Sequence, residues 1–355
     1  MIQMASAERP LDDAIRAIPI AWFQASRAVY WVDLLVSAGI GWTAFAFAVR
    51  AGGAKRAALL AIVIFALYRA VLFIHEITHR GARDVPGFTL AWNALVGIPL
   101  MIPSFLYEGV HLDHHRARTY GTPLDPEYVP FGRRSPLLIA AFIVGSIAAP
   151  LFFATRFAIV APIGWLAPPI RRLASERLSA LVINHEYIRR APIGASGRVQ
   201  EAAACLVVWT ALGLWWAGRV PGSLFLVWLV ASAAAFGINA LRTLAAHRYD
   251  NDGYDGHAAG ELSMTEQLLD SCTIQPNTLL RGAARTIVDG CHTLVAPVGL
   301  RYHALHHWIP SLPYHRLGRT HRLLVARLRA DAPYHETIER GFVPALARLV
   351  RRASR

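Results

Sequence analysis

The sequence predicts an all-α integral membrane protein with about four transmembrane helices and a cytoplasmic helical cap. Three observations carry that expectation. Hydrophobic residues make up 55% of the 355 residues and charged residues only 17%, where an ordinary soluble domain carries about a quarter. Several apolar runs reach about 18 to 20 residues, roughly 27 to 30 Å as helix, which matches the hydrocarbon thickness of a bilayer. Histidines gather at helical spacing close to the ends of these runs.

Taken in order, the N-terminal stretch MIQMASAERPLDDAIRA is acidic in part and leads into no short apolar core with a small-residue cleavage site. No removable signal peptide is expected, and the first spanning helix serves as the insertion signal. Tyr30 to Val49 and Ala57 to Ile74 form a helical hairpin that turns at Arg50 to Arg56. Arg69 is the one charge inside the second helix, and is expected to snorkel or to pair with a carboxylate. That helix runs directly into His75. Phe88 to Tyr107 is apolar but holds Pro99 and Pro103. A single crossing here would put His79 and His111 on opposite faces of the bilayer, so a shared site requires a re-entrant or interfacial path.

Leu137 to Ala167, interrupted by Pro150 and Pro162, is read as non-spanning or interfacial. Ala202 to Trp216 and Gly222 to Leu241 form a second hairpin, turning at Ala217 to Gly222. The result is a multi-pass chain of four crossings with its histidines on the cytoplasmic side. Arginine-rich segments after Arg80, Pro169 and His247 agree with that orientation, although Lys55 and Arg56 fall on the other side. With no internal repeat or low-complexity linker, residues 1–355 read as one domain. Its histidine-bearing core covers about 57–321, and a basic tail follows over 322–355.

The formal net charge of +13 is dispersed rather than interleaved with stacking aromatics, which argues against nucleic acid and for anionic lipid. Cys205, Cys272 and Cys291 form no CxxC pair, so neither a disulfide framework nor an iron–sulfur site is expected. Asp250 to His257 is similar to a calcium loop but lacks the sixth-position glycine, and reads as a turn. His185, His257, His292, His315, His321 and His335 fall outside the recurring spacing and are assigned to surface or packing. Trp209, Trp215, Trp216 and Trp228 suit interface anchoring or helix packing, and Trp308 suits shielding of a site.

Chemistry is concentrated in His75-Glu-Ile-Thr-His79, His111-Leu-Asp-His114-His115 and His303-Ala-Leu-His306-His307. Residues at i, i+3 and i+4 share one side of a helix, so each cluster can present its imidazoles to one point. Neutral imidazole suits iron, zinc, copper and nickel. Without a metal, so many would repel when protonated or leave buried nitrogens unpaired. Eight donors exceed what one ion needs. His247, at the end of the last spanning helix, is a ninth candidate; the competing role is interaction with the helix dipole beside Arg248. Glu76, Asp113, Asp125 and Glu127 are the carboxylates nearest in sequence, and serve either to orient the ligands or as loop charges and caps.

In this order the clusters read HxxxH, HxxHH and HxxHH, and the chain resembles the membrane fatty acid desaturase family from about Ala57 to His321. The flanks Arg118-Thr-Tyr-Gly-Thr-Pro-Leu-Asp-Pro-Glu127 and Pro297 to Tyr314 are similar as well. The resemblance implies a non-haem di-iron centre, with His75, His79, His111, His114, His115, His303, His306 and His307 as iron ligands and His247 as the additional histidine before the third box. Relatives carry Asn four residues before that histidine, where this chain has Thr243. The implied activity is O₂-dependent insertion of a double bond into a fatty acyl chain carried as lipid, acyl-CoA or acyl carrier. Electrons would come from a separate ferredoxin, rubredoxin or cytochrome.

A hydroxylase or ketolase acting on lipid, hydrocarbon or carotenoid uses the same scaffold and is the alternative. His75-Glu76-Ile-Thr-His79 also matches the HExxH signature of zinc proteases, in which the glutamate is general base. That reading leaves both HxxHH clusters without purpose. A metal transporter would place its site near the bilayer midplane rather than at helix exits.

Overall fold

A computed structural model describes residues 13–81, 83–251, 262–277 and 279–354. Of the Asp250 to His257 turn, everything after Asn251 lies outside the described residues, as do the first twelve residues. Described strand is confined to Thr273–Ile274, paired in parallel with Ile338–Glu339; helix dominates the rest. Five helical runs are long and apolar enough to cross a membrane: Ile20–Arg50, Gly53–His79, Pro136–Leu166, Ala195–Trp216 and Ser223–Ala246. The chain is an all-α integral membrane protein. Its described residues fold as two compact units, one within 27–112 and 141–238, the other within 13–26, 113–140 and 239–354.

The membrane-helix unit begins with the hairpin Arg27–Arg50 and Gly53–Val71. Gly41 permits the close approach of its arms, because a Cβ there would stand 2.5 Å from Cδ2 of Leu67. Arg69 finds its carboxylate across the hairpin: its Nε lies 2.7 Å from Oδ1 of Asp33, and its Nη2 bonds the other oxygen. The apolar stretch after Gly87 contains no spanning helix. Phe88–Gly97, ten residues long, would extend only about 15 Å. Beyond it, the amide side chain of Asn93 accepts from the Ser104 N–H at 2.8 Å, and Gln200 accepts from the Phe105 N–H at 3.1 Å. These bonds close the turn that leads to His111.

The structure differs from the sequence expectation at Leu137 to Ala167, which is one helical run rather than a broken one. A π turn at Arg156–Val160 joins Pro136–Thr155 to Ala161–Leu166. The physical reason extends to other prolines of this unit. A proline returns no N–H to the carbonyl four residues earlier. Pro99 so deprives the carbonyl of Leu95, the carbonyl of Pro99 itself stands open in the turn before Pro103, and Pro162 deprives that of Ala158. Each accepts an indole N–H instead, from Trp42 at 2.7 Å, Trp228 at 3.0 Å and Trp209 at 3.0 Å. In an apolar surround an unsatisfied carbonyl is costly, so each tryptophan makes its proline tolerable. Arg156, fully buried in the π turn, bonds Glu201 at 2.7 Å and the Leu178 carbonyl at 2.7 Å, and Glu201 also pairs with Arg171. An intramembrane charge is thus neutralised locally.

The second unit has its apolar core around Leu305, Trp308, Leu312, Leu317, Leu324 and Tyr334, with Ala14 and Ile18 packed against them. Its basic tail is ordered into the helix Phe342–Ala353, which buries Ala345 and Leu349. An extended strip from Ser271 to Gln275 organises the unit. Cys272 N–H donates to the Ala246 carbonyl at 2.7 Å, and its own carbonyl accepts from Ala304 N–H at 3.1 Å. Thr273 N–H donates to Thr337 and Ile274 N–H to Arg301, at 2.8 and 2.7 Å. Before the third box, Gly299 has φ +69°, and a Cβ there would meet the Tyr314 carbonyl at 2.9 Å, so only glycine fits.

Candidate metal centre

In the membrane-helix unit, His75 and His79 lie on the helix Phe73–His79, one turn apart and on one face. His111 joins them. The ring centroids of His75 and His111 are 4.4 Å apart, those of His79 and His111 4.8 Å, and those of His75 and His79 5.1 Å. The Tyr107 hydroxyl lies 2.9 Å from Nδ1 of His111 and fixes that ring. Glu76, 2% exposed, accepts from the Tyr30 hydroxyl and lies 3.7 Å from Nε of Arg80.

In the second unit, His114, His247, His303 and His307 are all buried, and one ring nitrogen of each lies within 4.8 Å of the others. Nε2 of His303 stands 2.8 Å from Nε2 of His247 and 3.1 Å from Nε2 of His307. Imidazole bonds transition metals at about 2.0–2.1 Å, so donors adjacent on one ion stand about 3.0–3.4 Å apart. The observed spacing fits a shared ion. His115 and His306 form a further pair, Nε2 to Nε2 3.1 Å.

Burial pushes the His303 imidazolium well below the usual range, reinforced by the neighbouring His307, His247 and His306. Burial likewise lowers His247, opposed by its bond to Asp270 and assisted by His114. Both rings are therefore neutral, the form that ligates. His114 moves the other way: burial opposes its protonation, but the charge and hydrogen bond of Asp125 outweigh it, with Glu127 and Asp270 adding to the field. Nδ1 of His114 lies 2.9 Å from both oxygens of Asp125. A carboxylate on Nδ1–H leaves Nε2 as the donor atom and strengthens it.

His247 is held in a different way. Tyr120 donates its hydroxyl to Oδ2 of Asp270 at 2.8 Å, which leaves its oxygen to accept Nδ1–H of His247 at 2.9 Å. Tyr128 donates to Oδ1 of the same carboxylate at 3.2 Å. Burial, followed by the charge of Asp270, pushes both phenols well above their usual range, so they remain donors. Backbone geometry fixes these histidines too, since the strip from Ser271 to Gln275 bonds the residues flanking His247 on one edge and those flanking His303 on the other.

Of the four carboxylates singled out in the sequence, Asp125 meets a predicted ligand directly, and Glu127 contributes charge. Asp113 bonds Arg116, and Glu76 meets Tyr30 and Arg80. Asp270, Tyr120 and Tyr128 escaped sequence reasoning, although Tyr120 lies in the flank after the second box. Thr243 accepts from Arg242 at 2.8 Å. His292 packs on Phe342, His321 bonds Tyr334 at 2.7 Å, and Trp308 packs on the same tyrosine.

The model of the family described as fatty acid desaturase matches residues 54–338. A ceramide hydroxylase of Caulobacter vibrioides (strain NA1000 / CB15N) is 41% identical over 331 residues, covering 92% of this chain and 89% of that protein.

Proposed function

The chain belongs to the fatty acid desaturase family, whose enzymes carry a histidine-ligated di-iron centre, and on that premise we propose that it hydroxylates ceramide or a closely similar lipid with O₂. It is a membrane oxidoreductase of that family. The observation that carries the finer reading is its 41% identity, across nearly its whole length, to a ceramide hydroxylase. The sequence alone puts double-bond insertion first; this relative moves hydroxylation ahead of it. The two outcomes differ only after the first hydrogen is removed, when the substrate either receives oxygen or loses a second hydrogen.

The residues fit iron. Nine imidazoles, four of them converging at ligand spacing in one unit and three clustered in the other, are donors for two ions of four or five ligands each. We assign His114, His247, His303 and His307 to one ion. His75, His79 and His111 are donors for the other, and His115 and His306 pair with each other. Bound iron supplies the one-electron chemistry that makes O₂ able to attack an unactivated C–H bond. The net reaction takes R–H, O₂, two electrons and two protons to R–OH and water.

This chain's own residues do the rest. Asp125, and Tyr120 with Asp270, hold the proton on Nδ1 of their histidines and so keep Nε2 available. Burial of His303 and His247 keeps both rings neutral and water away from the oxidant. Glu76 has its carboxylate bound to Tyr30 and close to Arg80, a poor arrangement for a protease's general base. The electrons come from a separate carrier of ferredoxin, rubredoxin or cytochrome type, on the cytoplasmic side where arginine is most abundant.

Purified protein given a ceramide, a chemical reductant and isotopically heavy O₂ should return the lipid with one heavy oxygen. Loss of two hydrogens with no label would restore the desaturase. Elemental analysis should find about two irons per chain; one zinc and no iron would favour a protease.

A further inference from the structure

The helix Tyr314–Arg327 turns Leu317, Thr320, His321 and Leu324 inward and leaves Arg319, Arg322 and Arg327 exposed. These three arginines, with Trp22, Pro19 and Leu323, line a shallow, open surface cavity of about 470 Å³. No acidic residue lines it, and among the described residues none of the three arginines makes an ion pair. Asp13, the acid of the N-terminal segment among the described residues before Trp22, pairs with Arg16. Arg319 stacks on the Trp22 ring, 4.5 Å from its centroid, which fixes the plane of its guanidinium.

We propose that this cavity binds a phosphate-bearing ligand, independently of the metal centre. Three guanidiniums with no counter-charge among the described residues repel one another, and their planar forks match phosphate oxygens two at a time. A carboxylate offers two oxygens to one guanidinium; a phosphate monoester carries up to two charges and three free oxygens, and a phosphodiester headgroup, singly charged, adds its ester and headgroup oxygens as further acceptors. The volume exceeds that of a bare ion, and the wall of Trp22, Pro19 and Leu323 offers apolar surface to the group esterified to it. Two sources share this chemistry, a phospholipid headgroup and a soluble organic phosphate. Trp22 lies in the short turn Ile20–Phe23, five positions before Arg27 begins the apolar helix Arg27–Arg50, so the pocket is close in sequence to a segment that enters lipid. That location favours the headgroup, since tryptophan and arginine both concentrate there.

The test uses full-length protein in detergent and native mass spectrometry. The probes are phosphatidylglycerol, inorganic pyrophosphate and, as the phosphate-free control, diacylglycerol. Phosphatidylglycerol should be retained, and Arg322→Gln with Arg327→Gln should weaken it on the order of tenfold. Binding of pyrophosphate alone, with the same loss in the double variant, keeps the site and assigns it to a soluble ligand. The proposal is overturned if the wild type holds neither phosphate probe, if the double variant holds them as well as wild type, or if diacylglycerol binds as tightly. Should the double variant fail to purify, Arg322→Gln alone, a change at one exposed side chain, is read with the same probes.

Discussion

Asp125 receives Nδ1 of His114 on both of its carboxylate oxygens, 2.9 Å from each. The same carboxylate accepts the backbone N–H of Gly121 and of Glu127, at 2.9 and 2.8 Å, so its own position is fixed by the loop. Asp125→Asn keeps the shape and removes the charge that makes His114 a strong donor. Metal affinity or turnover should fall by about 10–100-fold, read as iron per chain and as product formed. His114→Ala and His306→Ala should abolish turnover while membrane insertion persists; an active variant removes that residue from the ligand set.

Tyr120→Phe tests the relay between His247 and Asp270. It leaves a buried carboxylate short of one donor, at a cost of about 1–3 kcal/mol, and frees the His247 ring. Turnover should drop about tenfold or more and thermal stability should fall with it. Tyr128→Phe, which loses a bond to Asp270 and keeps the edge-on ring contact to His247 at 6.5 Å, should lower stability and spare most of the activity. Equal activity losses in both variants would show that the Tyr120 contact to His247 has no special weight.

Glu76→Gln distinguishes an oxygenase from a hydrolase. Gln keeps an acceptor for the Tyr30 hydroxyl and loses only the charge facing Arg80. Part of the oxygenase activity should survive in a lipid assay, whereas a protease deprived of its general base would be dead. A variant without any lipid oxidation but with normal iron would give Glu76 a role in the reaction itself.

His321 gives the protein an acid-sensitive edge outside the ligand set. Burial, then the charges of Arg301 and Arg322, push its imidazolium down to about 4, against about 6.5 when unfolded. Unfolded chains therefore bind the proton first, and stability falls as pH drops from about 6.5 towards 4, by roughly 3 kcal/mol in all. His321→Gln keeps a polar partner for Tyr334 and removes the titration. The apparent Tm of this variant should depend less on pH across that window; an unchanged slope would place the acid sensitivity elsewhere.

The histidine boxes were readable because α-helical spacing of 3 and 4 brings their rings to one face whatever the rest of the fold does. His247 was readable from its place at the end of a spanning helix. Asp270 was not, because 150 positions separate it from Tyr120 and only the strip at Ser271 brings the two together. The helix Pro136–Leu166 was misjudged for a related reason. Pro162 looks like a break until a distant tryptophan, Trp209, takes up the carbonyl it orphans. Arg69 needed a carboxylate, and nothing local marked Asp33, 36 residues away, as the one.

The strip from Ser271 to Gln275 bonds the main chain on either side of His247 and of His303. Their separation is consequently set by peptide geometry rather than by any ion bound between them. Gathering these two donors is therefore a cost met when the chain folds, and little of it recurs when an ion arrives. The emptied site in this unit should persist as a ready template, able to lose and regain its ion without refolding.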